Sequence, residues 1–199
     1  MPSDAPSPSD GDPIAIAIRV ARAIEAAGGA YFLGGSLASS LQGEPRATND
    51  IDIVIDLAAR DIHRLTIALG SDFEVDVDVL RRALVTRASC NIFYLPMVTK
   101  VDLFAVGREP YDQIEFARRR EILVRPPAGM LFVKAPEDTV LRKLMWHRDG
   151  GGVSDRQWRG VVEVLRVSGS EMDSHYVTTW AERLGLAEQL AKARNDSEQ

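Results

Sequence analysis

Apolar and polar positions follow regular periods along most of the chain. Residues 50–57 place an isoleucine or leucine at every second position from Ile51, which predicts a strand with one buried face. Residues 98–106 alternate in the same way and, together with residues 89–95, predict a hairpin. Residues 13–27 instead carry apolar side chains at helical spacing, and Gly28 and Gly29 end that helix.

Strands and helices are expected to alternate in the first half of the chain. Further strands are expected at 30–33 and 130–133, and further helices at 36–42, 58–69, 77–86, 111–120, 136–148, 154–165, 172–184 and 186–195. This order predicts an α+β (α/β-like) fold with a small mixed β-sheet core, flanking helices and a helical C-terminal half. The expected segments are a disordered tail (1–12), the sheet core (13–107) and a mostly helical region (108–199).

Composition excludes several classes of protein. The 199 residues are 45% hydrophobic and 27% charged, as in an ordinary globular protein. A single cysteine, Cys90, excludes an internal disulfide framework and is typical of a cytoplasmic protein, where we expect this chain. No run approaches the roughly 20 apolar residues of a membrane span, so no membrane partner is expected. The net charge of −5 argues against broad, non-specific DNA binding.

Three aspartates lie on the polar faces of two predicted strands. Asp50 and Asp52 share one strand face, about 6.6 Å apart at the backbone, and Asp102 lies on the later strand. If these strands pair with Asp102 level with Asp52, three carboxylates meet at one point, which is costly without a cation. Such a group can hold Mg²⁺ or Mn²⁺. Asp56 lies about 13 Å from Asp52 and is expected at the solvated end of the strand.

A glycine-rich turn precedes the strand of Asp50. The sequence Gly34-Gly35-Ser36 joins a short apolar strand to a helix, an arrangement that binds phosphate because glycine lets the backbone approach the anion. Ser36 is a candidate N-cap of that helix and a candidate donor to a phosphate. Each feature alone has a plainer alternative: the turn as an ordinary capped turn, and the Asp-x-Asp pair as a solvated strand end. Their combination with Asp102 favours a metal and nucleotide site.

Residues 34–53 (GGSLASSLQGEPRATNDIDI), followed by the strand of Asp102, resemble the DNA polymerase β-like nucleotidyltransferase superfamily. They are most similar to the branch that includes the AbiEii-type toxins of bacterial toxin–antitoxin systems. That branch carries Gly-Gly-x-Ala and then Arg-x-Thr-x-Asp-Ile-Asp. Leu37 departs from it at a position usually held by a small residue. The resemblance covers residues 28–106 well and the later helices more loosely.

The resemblance implies a role for each matching position. Asp50 and Asp52 would bind the metal, and Asp102 would complete the metal site or assist as the base. The catalytic set that the resemblance implies is Asp50, Asp52, Asp102 and Lys143. The nucleotide-binding set is Gly34, Gly35, Ser36, Arg46, Thr48 and Asp155, in which Arg46 and Thr48 would position phosphate or lock the loop. Gly160 and Val161 stand where the branch usually carries a further acidic residue.

The expected activity is a Mg²⁺-dependent transfer of a nucleoside monophosphate from an NTP to an acceptor hydroxyl. By the same resemblance, the acceptor is a tRNA 3′ end, a protein side chain or a small molecule, and a toxin role would imply a cognate antitoxin as partner. The sequence does not indicate the base of the NTP or the oligomeric state. A non-catalytic nucleotide-binding or regulatory module and a protein-interaction domain with a relic pocket stay open as alternatives.

Overall fold

The computed structural model describes residues 12–43, 48–124 and 129–198. In these ranges, seven strands form one mixed sheet, and nine helices lie before, between and after the strands in the chain. The α+β class expected from the sequence is therefore confirmed, including the sheet core, its flanking helices and the helical C-terminal half. None of the helices in the described ranges is long and apolar enough to cross a membrane.

The elements follow the periodicity of the sequence closely. The strands are β1 (Ala30–Leu33), β2 (Ile51–Asp56), β3 (Phe73–Glu74), β4 (Ser89–Tyr94), β5 (Thr99–Ala105), β6 (Arg120–Val124) and β7 (Gly129–Val133). The helices are α1 (Pro13–Ala26), α2 (Gly35–Gln42), α3 (Ile62–Leu69), α4 (Val77–Thr86), α5 (Pro110–Ala117), α6 (Pro136–Asp149), α7 (Asp155–Ser168), α8 (Ser174–Arg183) and α9 (Ala187–Ser197). Every expected element is present, and β3 and β6 are additional strands.

The chain divides into two compact units. The first unit comprises residues 1–37 and 48–133 and contains the whole sheet together with α1, α3, α4 and α5. The second comprises residues 38–47 and 134–199 and contains α6 to α9 and the end of α2. The predicted sheet core ends at residue 107. The sheet itself continues beyond that residue, because β7 pairs with both β1 and β6.

The expected disordered tail lies outside the described residues except for its last member, Asp12. The Asp12 carboxylate accepts a hydrogen bond from the Ile14 amide at 2.9 Å and caps α1. Pro13 follows as the first helical residue, a position where its missing N–H costs no hydrogen bond. Helix α1 therefore begins one residue after the segment that was expected to be disordered.

One face of the sheet forms the core of the first unit. The strand order is β3-β4-β5-β2-β1-β7-β6, with β2 parallel to β5 and antiparallel to β1. Ile51, Ile53 and Ile55 are almost fully buried on this face. Helix α1 packs against β1, β2 and β7, and α4 packs against β4 and β5. The alternation of isoleucine and aspartate in β2 thus separates a core face from a polar face.

Cys90 on β4 belongs to the core side of the sheet, where it pairs with Leu103 of β5. Burial raises the pKa of its thiol to about 11, and the negative charge of Asp102 contributes in the same direction. The thiol is therefore protonated at neutral pH, and Cys90 contributes to the packing of the core.

The core of the second unit is built from the apolar faces of its helices. Val140, Leu141 and Leu144 of α6 are fully buried, and α6 packs against α7 and α8. Helix α7 begins at a serine cap, since the Ser154 hydroxyl accepts a hydrogen bond from the Gln157 amide at 3.4 Å. This unit carries the predicted site residues Lys143 and Asp155.

The buried face of β2 provides a direct test of the fold. Ile53→Ala should lower the free energy of unfolding by about 2–5 kcal/mol, because Ile53 is 1% exposed and its loss leaves a cavity. Ile67→Ala is the matched control, since Ile67 on α3 is 66% exposed and its change should stay within about 0.5 kcal/mol. Urea denaturation of both variants measures the difference. Equal losses would contradict the assignment of this face to the core.

Candidate active site

Parallel pairing of β2 with β5 brings two of the expected carboxylates side by side. In this register Asp52 lies opposite Asp102, and Ile53 lies opposite Leu103. Directly opposed residues on neighbouring strands project from the same face of a sheet. Because Ile53 and Leu103 face the core, the two aspartates face away from it. The structure thus contains the alignment of Asp52 with Asp102 that the predicted metal site requires.

We call the polar side of these two strands the carboxylate face, defined by Asp52 and Val54 on β2 and by Lys100, Asp102 and Phe104 on β5. Asp102 is mostly covered, with 17% of its side chain exposed. On its other flank, Asn91 of β4 lies in register with Asp102. Asp50 lies outside this set, in the exposed segment immediately before β2.

The glycine turn lies directly against Asp52. The Gly34 amide donates to the Asp52 carbonyl oxygen at 2.8 Å, which joins the start of α2 to β2. Gly35 has a φ of +59°, a left-handed conformation that side chains disfavour. A Cβ on Gly35 would overlap the Asp52 carboxylate, at 2.5 Å from its Cγ and 2.8 Å from its Cβ. Both the backbone and the available space therefore require glycine at this position.

Helix α2 begins at Gly35, which places Ser36 at the start of the helix. Ser36 stays a predicted phosphate contact, because the first turn of a helix is where anions bind.

The segment that enters β2 is held by Thr48. Its hydroxyl oxygen accepts a hydrogen bond from the Asp50 amide at 3.3 Å. This bond matches the loop-locking alternative among the two roles expected of the Arg-x-Thr element. Arg46, the other member of that element, lies outside the described residues, and its role stays a prediction.

Lys100 is a functional candidate that the sequence analysis did not single out. Its Nζ donates to Asp102 Oδ2 at 2.8 Å. The pKa of Lys100 is raised, first by this hydrogen bond and further by the negative charges of Asp102, Asp50 and Asp52. The ammonium therefore lies within electrostatic range of all three predicted metal ligands. The signal in the sequence was its spacing, because a residue two positions from Asp102 shares the same strand face.

The donor atoms suit the expected metal. Carboxylate oxygens are hard ligands of the kind that Mg²⁺ and Mn²⁺ prefer. Among the described residues, no three His, Cys, Asp or Glu side chains are grouped closely enough to hold a metal ion. Mg²⁺, however, is usually bound by one or two carboxylates together with waters and substrate phosphates. The paired Asp52 and Asp102 fit that pattern, whereas Asp50 is not grouped with them closely enough to complete the expected set of three.

Lys143 and Asp155 belong to the second unit. Lys143 is buried on α6, and its Nζ lies 3.3 Å from Gln157 Oε1 on α7. Gly160 lies against the same side chain, and a Cβ there would come within 3.0 Å of Nζ. The absence of a side chain at Gly160 thus leaves room for the lysine. Asp155 is exposed at the start of α7, and the roles of both residues stay predictions.

Comparison of the sequence with protein-family models and with curated proteins finds no match. The candidate site in the first unit has two components. They are the carboxylate pair of β2 and β5 and the glycine turn that packs against one member of that pair.

Gly35→Ala tests the contact between the glycine turn and Asp52. The left-handed backbone should lower the free energy of unfolding by about 1 kcal/mol. The overlap with Asp52 should lower it by about 1–3 kcal/mol more. Gly70→Ala is the matched control, because Gly70 has a φ of +75° with nothing within 4 Å of an added Cβ. Urea denaturation should therefore show a clearly larger loss for Gly35→Ala.

The Asp52→Ala background separates the two costs of this substitution. Removing the Asp52 carboxylate should bring the loss from Gly35→Ala down towards that from Gly70→Ala, which appears as a coupling energy in a double-mutant cycle. A loss from Gly35→Ala that is the same with and without the Asp52 carboxylate would show that the two residues do not pack together.

Proposed function

We propose that this chain is a Mg²⁺-dependent nucleotidyltransferase that transfers a nucleoside monophosphate from an NTP to an acceptor hydroxyl and releases pyrophosphate. The observation that supports the proposal is the register that sets Asp52 beside Asp102, with Gly35 packed against Asp52. This chemistry needs a metal ion held against a triphosphate. Paired carboxylates can hold the metal, and a glycine turn at a helix N-terminus can hold the triphosphate.

Asp50, Asp52 and Asp102 would hold the metal. Mg²⁺, when bound, neutralises charge on the triphosphate and lowers the pKa of the acceptor hydroxyl. Asp102 is the candidate base for that hydroxyl. Positioning of the two substrates would supply most of the rate enhancement, because the phosphoryl group needs little covalent assistance from the protein.

The turn of Gly34, Gly35 and Ser36 would bind the triphosphate. Helix N-termini attract anions through their N–H groups and the helix dipole, and α2 begins at this turn. The absence of a side chain at Gly35 leaves room for the Asp52 carboxylate beside the start of the helix. Thr48 would fix the segment that carries Asp50 into β2.

The remaining predicted roles rest on the resemblance to the AbiEii-type branch. Lys143 would act in catalysis, and Arg46 and Asp155 would contribute to nucleotide binding. The acceptor would be a tRNA 3′ end, a protein side chain or a small molecule. A toxin role in the cytoplasm, with a cognate antitoxin as partner, is part of the same proposal.

A non-catalytic nucleotide-binding module is the second candidate. The hydrogen bond from Lys100 to Asp102 favours it, because one oxygen of a predicted metal ligand already has a cationic partner. Such a module would bind an NTP at the glycine turn and transfer nothing.

Label transfer from NTPs tests the proposed reaction. With each α-labelled NTP, Mg²⁺ and total RNA or cell protein as acceptor, the protein should transfer label to one class of acceptor. Asp52→Asn and Asp102→Asn should each lower the rate by at least about a hundredfold, since each removes a metal-binding charge. Asp56→Asn is the matched control, because its carboxylate lies 59% exposed at the far end of β2.

Thermal unfolding with Mg·NTP separates the alternatives. A ligand that binds only the native state must raise the unfolding temperature. Stabilisation without transfer to any acceptor would favour the nucleotide-binding module. Neither stabilisation nor transfer would favour the protein-interaction domain with a relic pocket. An equal loss of activity in Asp56→Asn would show that the reaction does not occur at the Asp52–Asp102 pair.

A further inference from the structure

Lys100 brings a positive charge into the acidic group formed by Asp52 and Asp102. Its Nζ lies 2.8 Å from Asp102 Oδ2, and Asp102 lies in register with Asp52 on the neighbouring strand. The lysine side chain is 48% exposed, so its contribution to the stability of the fold is small. The position of Lys100 on the carboxylate face therefore calls for an explanation other than stability.

The acidic group has an electrostatic cost of its own. Carboxylates that share one site repel each other, and a nearby cation relieves that repulsion. The ammonium of Lys100, which donates a hydrogen bond to Asp102, offsets part of the negative charge of this group. In the protein without a divalent ion, the group thus already has a partial counter-ion, supplied by the same strand that carries Asp102.

The same charge acts against an incoming metal. A lysine ammonium has three donors and no acceptor, so it competes with a metal for the oxygen of Asp102 that it binds. It also repels any divalent ion held by the neighbouring carboxylates.

We infer that Lys100 is a built-in counter-ion of the Asp52 and Asp102 group and that it limits the affinity of this group for divalent cations. The inference rests on the metal-binding part of the proposed function, and it does not require nucleotidyl transfer. A triphosphate carries several negative charges that offset the ammonium, so Lys100 would make the site bind metal together with a nucleotide rather than before it. Lys100 is in this sense a positioning residue that acts through Asp102.

Titration with Mn²⁺ tests the inference without reference to activity. The electron paramagnetic resonance signal of free Mn²⁺ measures binding to the full-length protein in the absence of nucleotide. Lys100→Gln should bind Mn²⁺ about tenfold more tightly than the unchanged protein, because the competing charge is gone. Lys100→Met should show the same gain, and Lys100→Arg, which keeps the charge, should stay close to the unchanged protein.

Arg87→Gln is the matched control for loss of a positive charge. Arg87 Nη1 lies 3.9 Å from Asp56 Oδ1, at the other end of β2. Its removal should leave the Mn²⁺ affinity unchanged within about twofold, because Asp56 lies about 13 Å from Asp52. Circular dichroism of each variant establishes that the fold is retained.

Each outcome decides between the alternatives. Unchanged or weaker Mn²⁺ binding in both neutral Lys100 variants overturns the inference, whether or not the protein transfers nucleotides. No Mn²⁺ binding by any variant overturns the inference together with the metal site of the proposed function. Tighter binding in the neutral variants without any transfer supports the inference and counts only against the proposed reaction.

Discussion

The parallel register of β2 against β5 is the constraint on which the candidate site depends. A slip of one residue would move Asp52 to the core face and an isoleucine to the polar face, because side chains alternate along a strand. The buried Ile51, Ile53 and Ile55 oppose that slip, since each would lose its apolar surroundings. The hydrophobic core therefore fixes the position of the carboxylates, and the chemistry of one sheet face is set by the packing of the other.

Two features adapt the surroundings of Asp52 and Asp102 to a concentration of negative charge. Gly35 lets the start of α2 approach Asp52 closely, and a helix N-terminus favours a nearby negative charge. Lys100 donates to Asp102 from the same strand. Neither feature contributes much to the core of the sheet. Both features are explained if the carboxylate face binds a metal ion and a polyphosphate. The charges of these ligands would then be the largest charges near Asp52 and Asp102.

Periodicity within a strand predicted much of the fold and the composition of the carboxylate face. The alignment of Asp52 with Asp102 could not be predicted from the sequence, because the register between strands far apart in the chain depends on tertiary packing. The edge strand β6 was missed because the run from Arg118 to Arg120 continues the preceding helical pattern, and an edge strand has little alternation. Lys100 was passed over because a lysine on a polar strand face is most often simply solvated.

The most direct measurement of the central claim is anomalous scattering from crystals of the protein grown with Mn²⁺ and a non-hydrolysable NTP. If Asp52 and Asp102 form the metal site, a manganese peak will lie about 2.1 Å from a carboxylate oxygen of each, with the triphosphate at Gly34, Gly35 and Ser36. A manganese ion bound elsewhere, or a triphosphate that leaves the glycine turn unoccupied, would contradict the account.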